Sequence, residues 1–327
     1  MKYQKDTKQN SFAVIIPAYN AEKTLGRCVK SVLNQTKKPN EVIIINDGSE
    51  DKTSEVIENL ASTNKLIKYL FQSNEGVSKS RNNGIMLAES THVMFLDADD
   101  YWMPTKIETH IRHLHKHETC CASFTNYFIE DLSRSELLFQ NHRKNLQPIT
   151  KQNLALAQAV VHGSASSMVC RRNLLLQVEG FDANLKFGED LDLWVRLAQH
   201  FEICEINKHE TVIVKDKNSS QERMLTNKKS WLITDMYLYI WSKNNIQFDS
   251  KTDKRNARLL LRIDIRKHYA SFRKILYGFP MQLQKTYRGI FRKLYRNYPC
   301  YVIFLYADIR YDLFLFLKRF FNWTTRV

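Results

Sequence analysis

No two of the six cysteines in this 327-residue chain show C-x-x-C spacing. Cys28, Cys120, Cys121, Cys170, Cys204 and Cys300 sit mostly inside apolar runs, so buried, reduced thiols are expected in place of a disulfide framework. No stretch reaches about 18 uninterrupted apolar residues, and a membrane span is not expected. The first residues, MKYQKDTKQNS, are polar and lack the apolar segment of a signal peptide, which predicts a cytosolic location. There is no internal repeat and no low-complexity tract. Acidic residues run short in one place: residues 215–327 hold 24 of the 49 Lys and Arg but only 8 of the 34 Asp and Glu. The whole basic excess therefore lies in the last third. That composition break marks a segment with a different job and an anionic partner, whether a membrane face, a polyanionic glycan or nucleic acid.

What is present is 43% hydrophobic and 25% charged, a globular composition long enough to bury a sizeable core. FAVII (12–16), EVIII (41–45), LIKYLF (66–71) and THVMFL (91–96) read as strands, and EVIII is continuous enough to be buried on both faces. Helical patterns lie between them: one from Ala21 to about Gln35, one to about Leu60, and one entered through NEGVSKSRNNG. Alternation of this kind predicts an α/β fold, a mostly parallel, doubly wound sheet flanked by helices. Ligands of such sheets bind beyond the carboxyl ends of the strands. The topology alone thus gathers Pro17–Asn20, Asp47, Gly76–Asn82 and Asp97–Asp100 into one cleft. Further on, residues 104–117 read as a helix, 119–129 and 164–170 as strands, and Asn173–Val178 as a short helix. GED (188–190) opens another helix, and FEICEI and ETVIV form two strands that close the unit near Val214. Residues 215–327 read as basic amphipathic helices.

Asp97, Asp99 and Asp100 crowd three carboxylates into FLDADD. A helix start explains one or two of them, not three beside three other loops. Hard oxygen ligands at this spacing suit Mg²⁺ or Mn²⁺ carrying a diphosphate. Asp47 is either a turn aspartate or an acceptor for a ligand's base or ribose, and Arg81 is either a surface arginine or a phosphate ligand. His113 and His117 are an i, i+4 pair, but no third ligand is evident in the sequence and a solvated face is the expectation. His162 and Gly163 precede the segment expected to face an acceptor.

VIIPAYNAEKTLGRCVKSVLNQT, EVIIINDGSEDKT, NEGVSKSRNNGI, FLDADD and GFDANLKFGEDLDLWVRL occur in order from about Phe12 to Val214. Together they resemble glycosyltransferase family 2, with its GT-A nucleotide-sugar fold and inverting chemistry. The resemblance implies that Pro17, Ala18, Tyr19 and Asn20 line the base and ribose pocket and that Asp47 contacts uracil. It implies that Gly76 and Arg81 border the nucleotide, that Asp99 holds Mn²⁺ or Mg²⁺, and that Asp97 meets ribose or metal. Asp190 would be the general base, with Glu189 beside it at the acceptor. Asp192 and Trp194 share that helix start; Trp194 is either a wall for the acceptor sugar or a core anchor. Relatives often carry a histidine after the last strand where this chain has Lys217, which is expected to meet the diphosphate. The donor implied is a UDP-hexose, glucose favoured, and the acceptor a bacterial surface glycan such as lipopolysaccharide core or a lipid-linked oligosaccharide. A GT-A domain over 1–214 and a basic helical region over 215–327 follow, the latter expected to hold the enzyme on the anionic inner face of the cytoplasmic membrane, with no nucleic-acid partner. A non-catalytic nucleotide-sugar or anionic-glycan binding protein is the alternative. A sugar nucleotidyltransferase would need a glycine-rich, basic triphosphate loop after its first strand, and PAYN is not one.

Overall fold

The structure is a computed structural model and describes residues 10–133, 136–140, 164–185 and 188–215. Strands β1 (Phe12–Ala18), β2 (Glu41–Asp47), β3 (Ile67–Gln72) and β4 (His92–Phe95) run parallel in the order β3-β2-β1-β4. Both faces of β1 and β2 are buried along their whole length, which is why they read as continuous β-branched runs. On one face Val14, Ile16, Val42 and Ile44 pack against helix α1 (Leu25–Leu33) through Leu25, Cys28, Val29 and Val32. Those helix positions are i, i+3, i+4 and i+7, the stripe that one side of a helix presents. Helix α2 (Thr53–Thr63) adds Ile57 to the same cluster. Helix α3 (Val77–Leu87) covers the opposite face and approaches β1 closely, since a Cβ on Gly84 would lie 2.4 Å from Cγ2 of Ile15.

Beyond β4 the sheet turns mixed. Strand β8 (Met168–Arg171) pairs antiparallel with β4, and β6 (Cys120–Asp131) antiparallel with β8. The long β9 (Glu202–Lys215) runs parallel to β6, and β5 (Tyr101–Trp102) pairs antiparallel with it at the edge. β7 (Glu136–Gln140) adds to β6, making nine strands among the described residues. The α/β class and mostly parallel first half agree with expectation. The expected pair FEICEI and ETVIV is instead the single strand β9. The polar NKH between them is not a turn but a bulged stretch, where the register against β6 shifts between Thr125 and Tyr127 and Asn126 bonds Asn207.

Helix α4 (Lys106–Lys116) packs on β6 and β9. Lys106 is fully buried, donating to Thr125, Thr211 and the Ser167 carbonyl, and burial pulls its amine down to about 7. Helices α5 (Arg172–Gln177) and α6 (Glu189–Ala198) complete the described elements. The cysteines depart from the expectation of free thiols: Cys28, Cys121 and Cys170 are buried and free, but Cys120 and Cys204 are bonded as a disulfide with Cα atoms 6.0 Å apart. The parallel pairing of β6 and β9 brings together two residues 84 positions apart, which no local spacing reveals. Among the described residues no helix is long and apolar enough to cross a membrane. Lys217, His162, Gly163, Cys300 and the expected basic region over 215–327 lie outside the described residues, apart from Lys215 at the end of β9.

Candidate active site

The carboxyl ends of β1, β2 and β4 face one cleft, and their loops carry the acidic and glycine-bearing motifs. Pro17 and Ala18 are the last residues of β1, paired with Ile45 and Asn46 of β2. Pro17 lies past Ile15, the last β1 residue paired with β4, so its missing N–H costs no hydrogen bond to that strand. Ala18 is buried and Tyr19 is half exposed. Asn20 adopts a left-handed φ of 48°, donating from its N–H to Ser49 and accepting from the Glu50 N–H through its side chain. These contacts tie the first loop to the second.

Asp47 ends β2 and is buried. Its carboxylate accepts from Gln72 Nε2 at 2.8 Å and from the N–H groups of Glu75 at 2.8 Å and Gly76 at 2.9 Å. It therefore braces the loop before α3, and three of the roughly four acceptor positions of a carboxylate are used. Gly76 turns the chain into α3 with φ of 90°, a conformation that favours glycine.

The four residues Arg81–Gly84 of α3 each meet a different part of the structure. Arg81 is buried; its Nη2 donates to Asp97 Oδ1 at 2.6 Å and its Nη1 to Glu189 Oε1 at 3.0 Å. Its guanidinium also lies 5.1 Å from the centre of the Phe181 ring. Burial opposes its charge, but Asp97 and Glu189 outweigh that and hold its pKa above the ordinary value. Asn82 clamps the backbone of Phe181, donating to its carbonyl at 2.7 Å and accepting from its N–H at 2.8 Å. Asn83 donates to Gln72 Oε1 at 2.7 Å, the side chain that in turn holds Asp47. Gly84 permits the contact with Ile15. Sequence reading placed Arg81 at the nucleotide; in the structure its charged nitrogens bridge the D-x-D and G-E-D stretches.

The three aspartates after β4 are chemically distinct. Asp97 has both oxygens engaged, by Arg81 and by Ser164 Oγ at 3.1 Å. Asp100 is buried and accepts from Ser166 Oγ at 2.7 Å and from the Val214 N–H at 3.0 Å. Burial, with Asp99 and Asp97 adding repulsion, holds its carboxyl well above the usual range. Its bonds pin the end of β9 to the acid cluster. Among the described residues Asp99 alone of the three has a carboxylate that accepts from no other residue, only from its own backbone N–H; Arg27 holds its backbone carbonyl at 3.0 Å. Burial and the Asp97 charge raise the Asp99 carboxyl to about 6. An unpaired, half-buried carboxylate beside two others is a donor set fitted to a hard divalent cation, so the residues present suit Mg²⁺ or Mn²⁺. The serines behind the cluster escaped the sequence reading. Residues expected to begin a strand form a short 3-10 turn (Ala165–Ser167), which aims Ser164 and Ser166 at Asp97 and Asp100.

GED opens α6. Gly188 has φ of 71°, and Glu189, Asp190 and Asp192 all fall in the first helical turn. Burial, with the Glu189 charge next, lifts Asp190 to about 7, and among the described residues its side chain accepts only its neighbour's N–H, from Leu191, at 2.8 Å. Asp192 and Trp194 stand apart from this. Asp192 is fully buried and ion-paired at 2.8 Å with Arg196, whose other nitrogens hold the Val178 and Gly180 carbonyls. Trp194 is 1% exposed. Neither side chain offers a surface to an acceptor; both anchor α6, and for Trp194 the core-anchor alternative is what the structure displays.

The family model described as Glycosyl transferase family 2 matches residues 13–178. An uncharacterized glycosyltransferase of Rickettsia conorii is 34% identical over 62% of this chain and 32% of its own length. A chondroitin synthase of Pasteurella multocida is 27% identical over 72% of this chain and 24% of its own. The chain thus spans about a third or less of these relatives. Among solved structures, S. aureus TarS 1–349 in complex with UDP-GlcNAc superposes with a TM-score of 0.61 at 20% identity, covering 84% of this chain and 77% of that one. GalNAc-T7 with UDP, GalNAc and Mn²⁺ gives 0.52 at 15% identity, over 64% and 45%. These two share the fold, and the family match spans half of the chain: it belongs to glycosyltransferase family 2 and has the GT-A fold.

Proposed function

We propose that the chain transfers a hexose from a UDP-sugar, with inversion, to a hydroxyl of a bacterial surface glycan or glycolipid. What supports this most is the Arg81 bridge, which ties the D-x-D aspartate Asp97 and the G-E-D glutamate Glu189 to one buried guanidinium. Donor chemistry and acceptor chemistry thereby share one cleft. UDP-GlcNAc and UDP in the two structural neighbours favour a uridine diphosphate donor. Asp99, with Asp97 beside it, would hold Mn²⁺ or Mg²⁺, which as a Lewis acid offsets charge on the departing diphosphate. Asp190 takes the proton of the acceptor hydroxyl, since its raised pKa makes it a base strong enough to work near neutrality. Asp47 and Asn20 fix the loops around the base and ribose, and Glu189 holds Arg81 beside the acceptor.

A thermal-shift and turnover experiment tests this. With Mn²⁺ present, UDP-hexoses raise the melting temperature of the wild type, because ligands that bind only the native state stabilise it. Asp99→Asn loses the Mn²⁺-dependent part of that shift and at least about 10²-fold in kcat, as expected when several kcal/mol of charge stabilisation is removed. An Asp99→Asn protein as active as wild type sinks the assignment. Donor-induced stabilisation without turnover on any acceptor favours the binding-protein alternative.

The basic excess over 215–327 supports attachment to an anionic lipid surface, where a lipid-borne acceptor would reside. Removal of residues from about 280 onward is expected to move the protein from the membrane to the soluble fraction on flotation; an unchanged distribution refutes the anchor.

A further inference from the structure

A second cluster of ligating side chains lies away from the cleft. His113 near the end of α4, Cys120 at the start of β6 and Cys204 in β9 bring one imidazole nitrogen and two sulfurs within 4.8 Å of one another. Around a tetrahedral zinc ion with bonds of about 2.0–2.3 Å, ligand atoms stand roughly 3.5 Å apart, so this envelope matches. Cys120 and Cys204 are buried, and Nε2 of His113 is a buried nitrogen with no hydrogen-bond partner. A disulfide leaves that nitrogen with nothing to bind, whereas a metal ion would take its lone pair. His117, one helical turn after His113, has its ring centre 4.4 Å from that of His113, and the Cys120 N–H donates to the His117 carbonyl at 3.1 Å. The ligand nitrogens of His117 fall outside that 4.8 Å set, so His117 would join as the fourth ligand with its ring turned toward the sulfurs.

We propose that, with Cys120 and Cys204 as thiols, this cluster is a structural zinc site: the two thiolates, His113 and His117 hold one Zn²⁺. Binding releases the two thiol protons. Zinc and the Cys120–Cys204 disulfide exclude each other, and converting the disulfide to the zinc-binding form takes two electrons and two protons from a thiol or phosphine reductant. The site is distinct from the acid cluster. β6 runs antiparallel to β8, and β8 antiparallel to β4, so β6 is parallel to β4 and its first residue lies at the amino-terminal end of the strands, opposite to Asp99. Thiolate and imidazole are the soft donors that select zinc, while the Asp99 site is built of hard oxygens. The ion would staple the end of α4 to two strands of the mixed half-sheet. This reading does not depend on the donor or acceptor of the transfer reaction.

The full chain, purified with a phosphine reductant and dialysed, is expected to carry about one zinc per molecule by mass spectrometry. Asp99→Asn retains it. His113→Gln and Cys204→Ser fall to a background level, with circular dichroism confirming that each is folded. Replacement of zinc by Co²⁺ gives a thiolate-to-cobalt charge-transfer band in wild type and in Asp99→Asn, and none in Cys204→Ser. Reduced wild type without zinc and without the cobalt band overturns the proposal. So does zinc that persists at full stoichiometry in both His113→Gln and Cys204→Ser, since the ion is then held elsewhere.

Discussion

Replacement of Asp190 by asparagine is expected to lower kcat by about 10³-fold, the usual loss when a positioned base is removed, while the donor-induced thermal shift is retained. Asparagine keeps the shape of the side chain and an oxygen that can accept the Leu191 N–H, so α6 should still start as it does now. What disappears is the proton acceptor. The pH profile of the wild type offers an independent reading. Burial first, and the Glu189 charge second, hold the Asp190 carboxyl at about 7, far above an ordinary aspartate. The base works only when deprotonated. Activity should therefore rise with pH through an acid limb centred near 7 in kcat/KM and flatten above it. In Glu189→Gln the neighbouring negative charge is gone, so the limb should move to lower pH. An acid limb that stays in place in Glu189→Gln, or an Asp190→Asn enzyme with near-normal kcat, would remove Asp190 from the role of base.

Arg81→Met should be the most destabilising single change in the cleft. The side chain is buried, and its loss leaves Asp97 and Glu189, themselves only 16% and 17% exposed, without their shared counter-charge. Breaking a buried ion pair from one side costs about 3–5 kcal/mol, because the charge left behind is uncompensated. For a domain of this size that corresponds to a fall in Tm of roughly 6–15 °C in differential scanning calorimetry. A shift of only a degree or two would mean that the bridge contributes little. Arg81→Lys should recover only part of the loss, since one ammonium cannot reproduce a fork that reaches two carboxylates.

The strands that carry the cleft were legible because both faces of β1, β2 and β4 are buried, and such strands must be apolar throughout. FLDADD was legible for the opposite reason: three like charges after a buried strand call for a cation. The division of labour among them was not. Asp97 and Asp100 differ from Asp99 through Ser164 and Ser166, which arrive from a turn nearly 70 residues later. Arg81 read as a phosphate ligand because its sequence neighbours are polar, while its burial depends on β4, α6 and Phe181 meeting above it. β5 and β7 were missed; β5 is two residues long, too short for any periodicity to register. Cys120 and Cys204 looked like unremarkable core residues, and for Trp194 the sequence left a wall for the acceptor and a core anchor both open, because burial within a helix start is set by what packs on it from elsewhere.

Arg81, Asn82, Asn83 and Gly84 occupy one turn of α3, and successive residues of a helix are rotated by about 100° around its axis. Four neighbours thus face four bearings, and each bearing is already taken: the acids, the Phe181 backbone, Gln72 and Ile15. The helix is consequently locked in rotational phase. A residue inserted between Gly76 and Arg81 would turn all four contacts away together, however well it suited a helix. The count from Gly76 to Gly84 is therefore set by geometry.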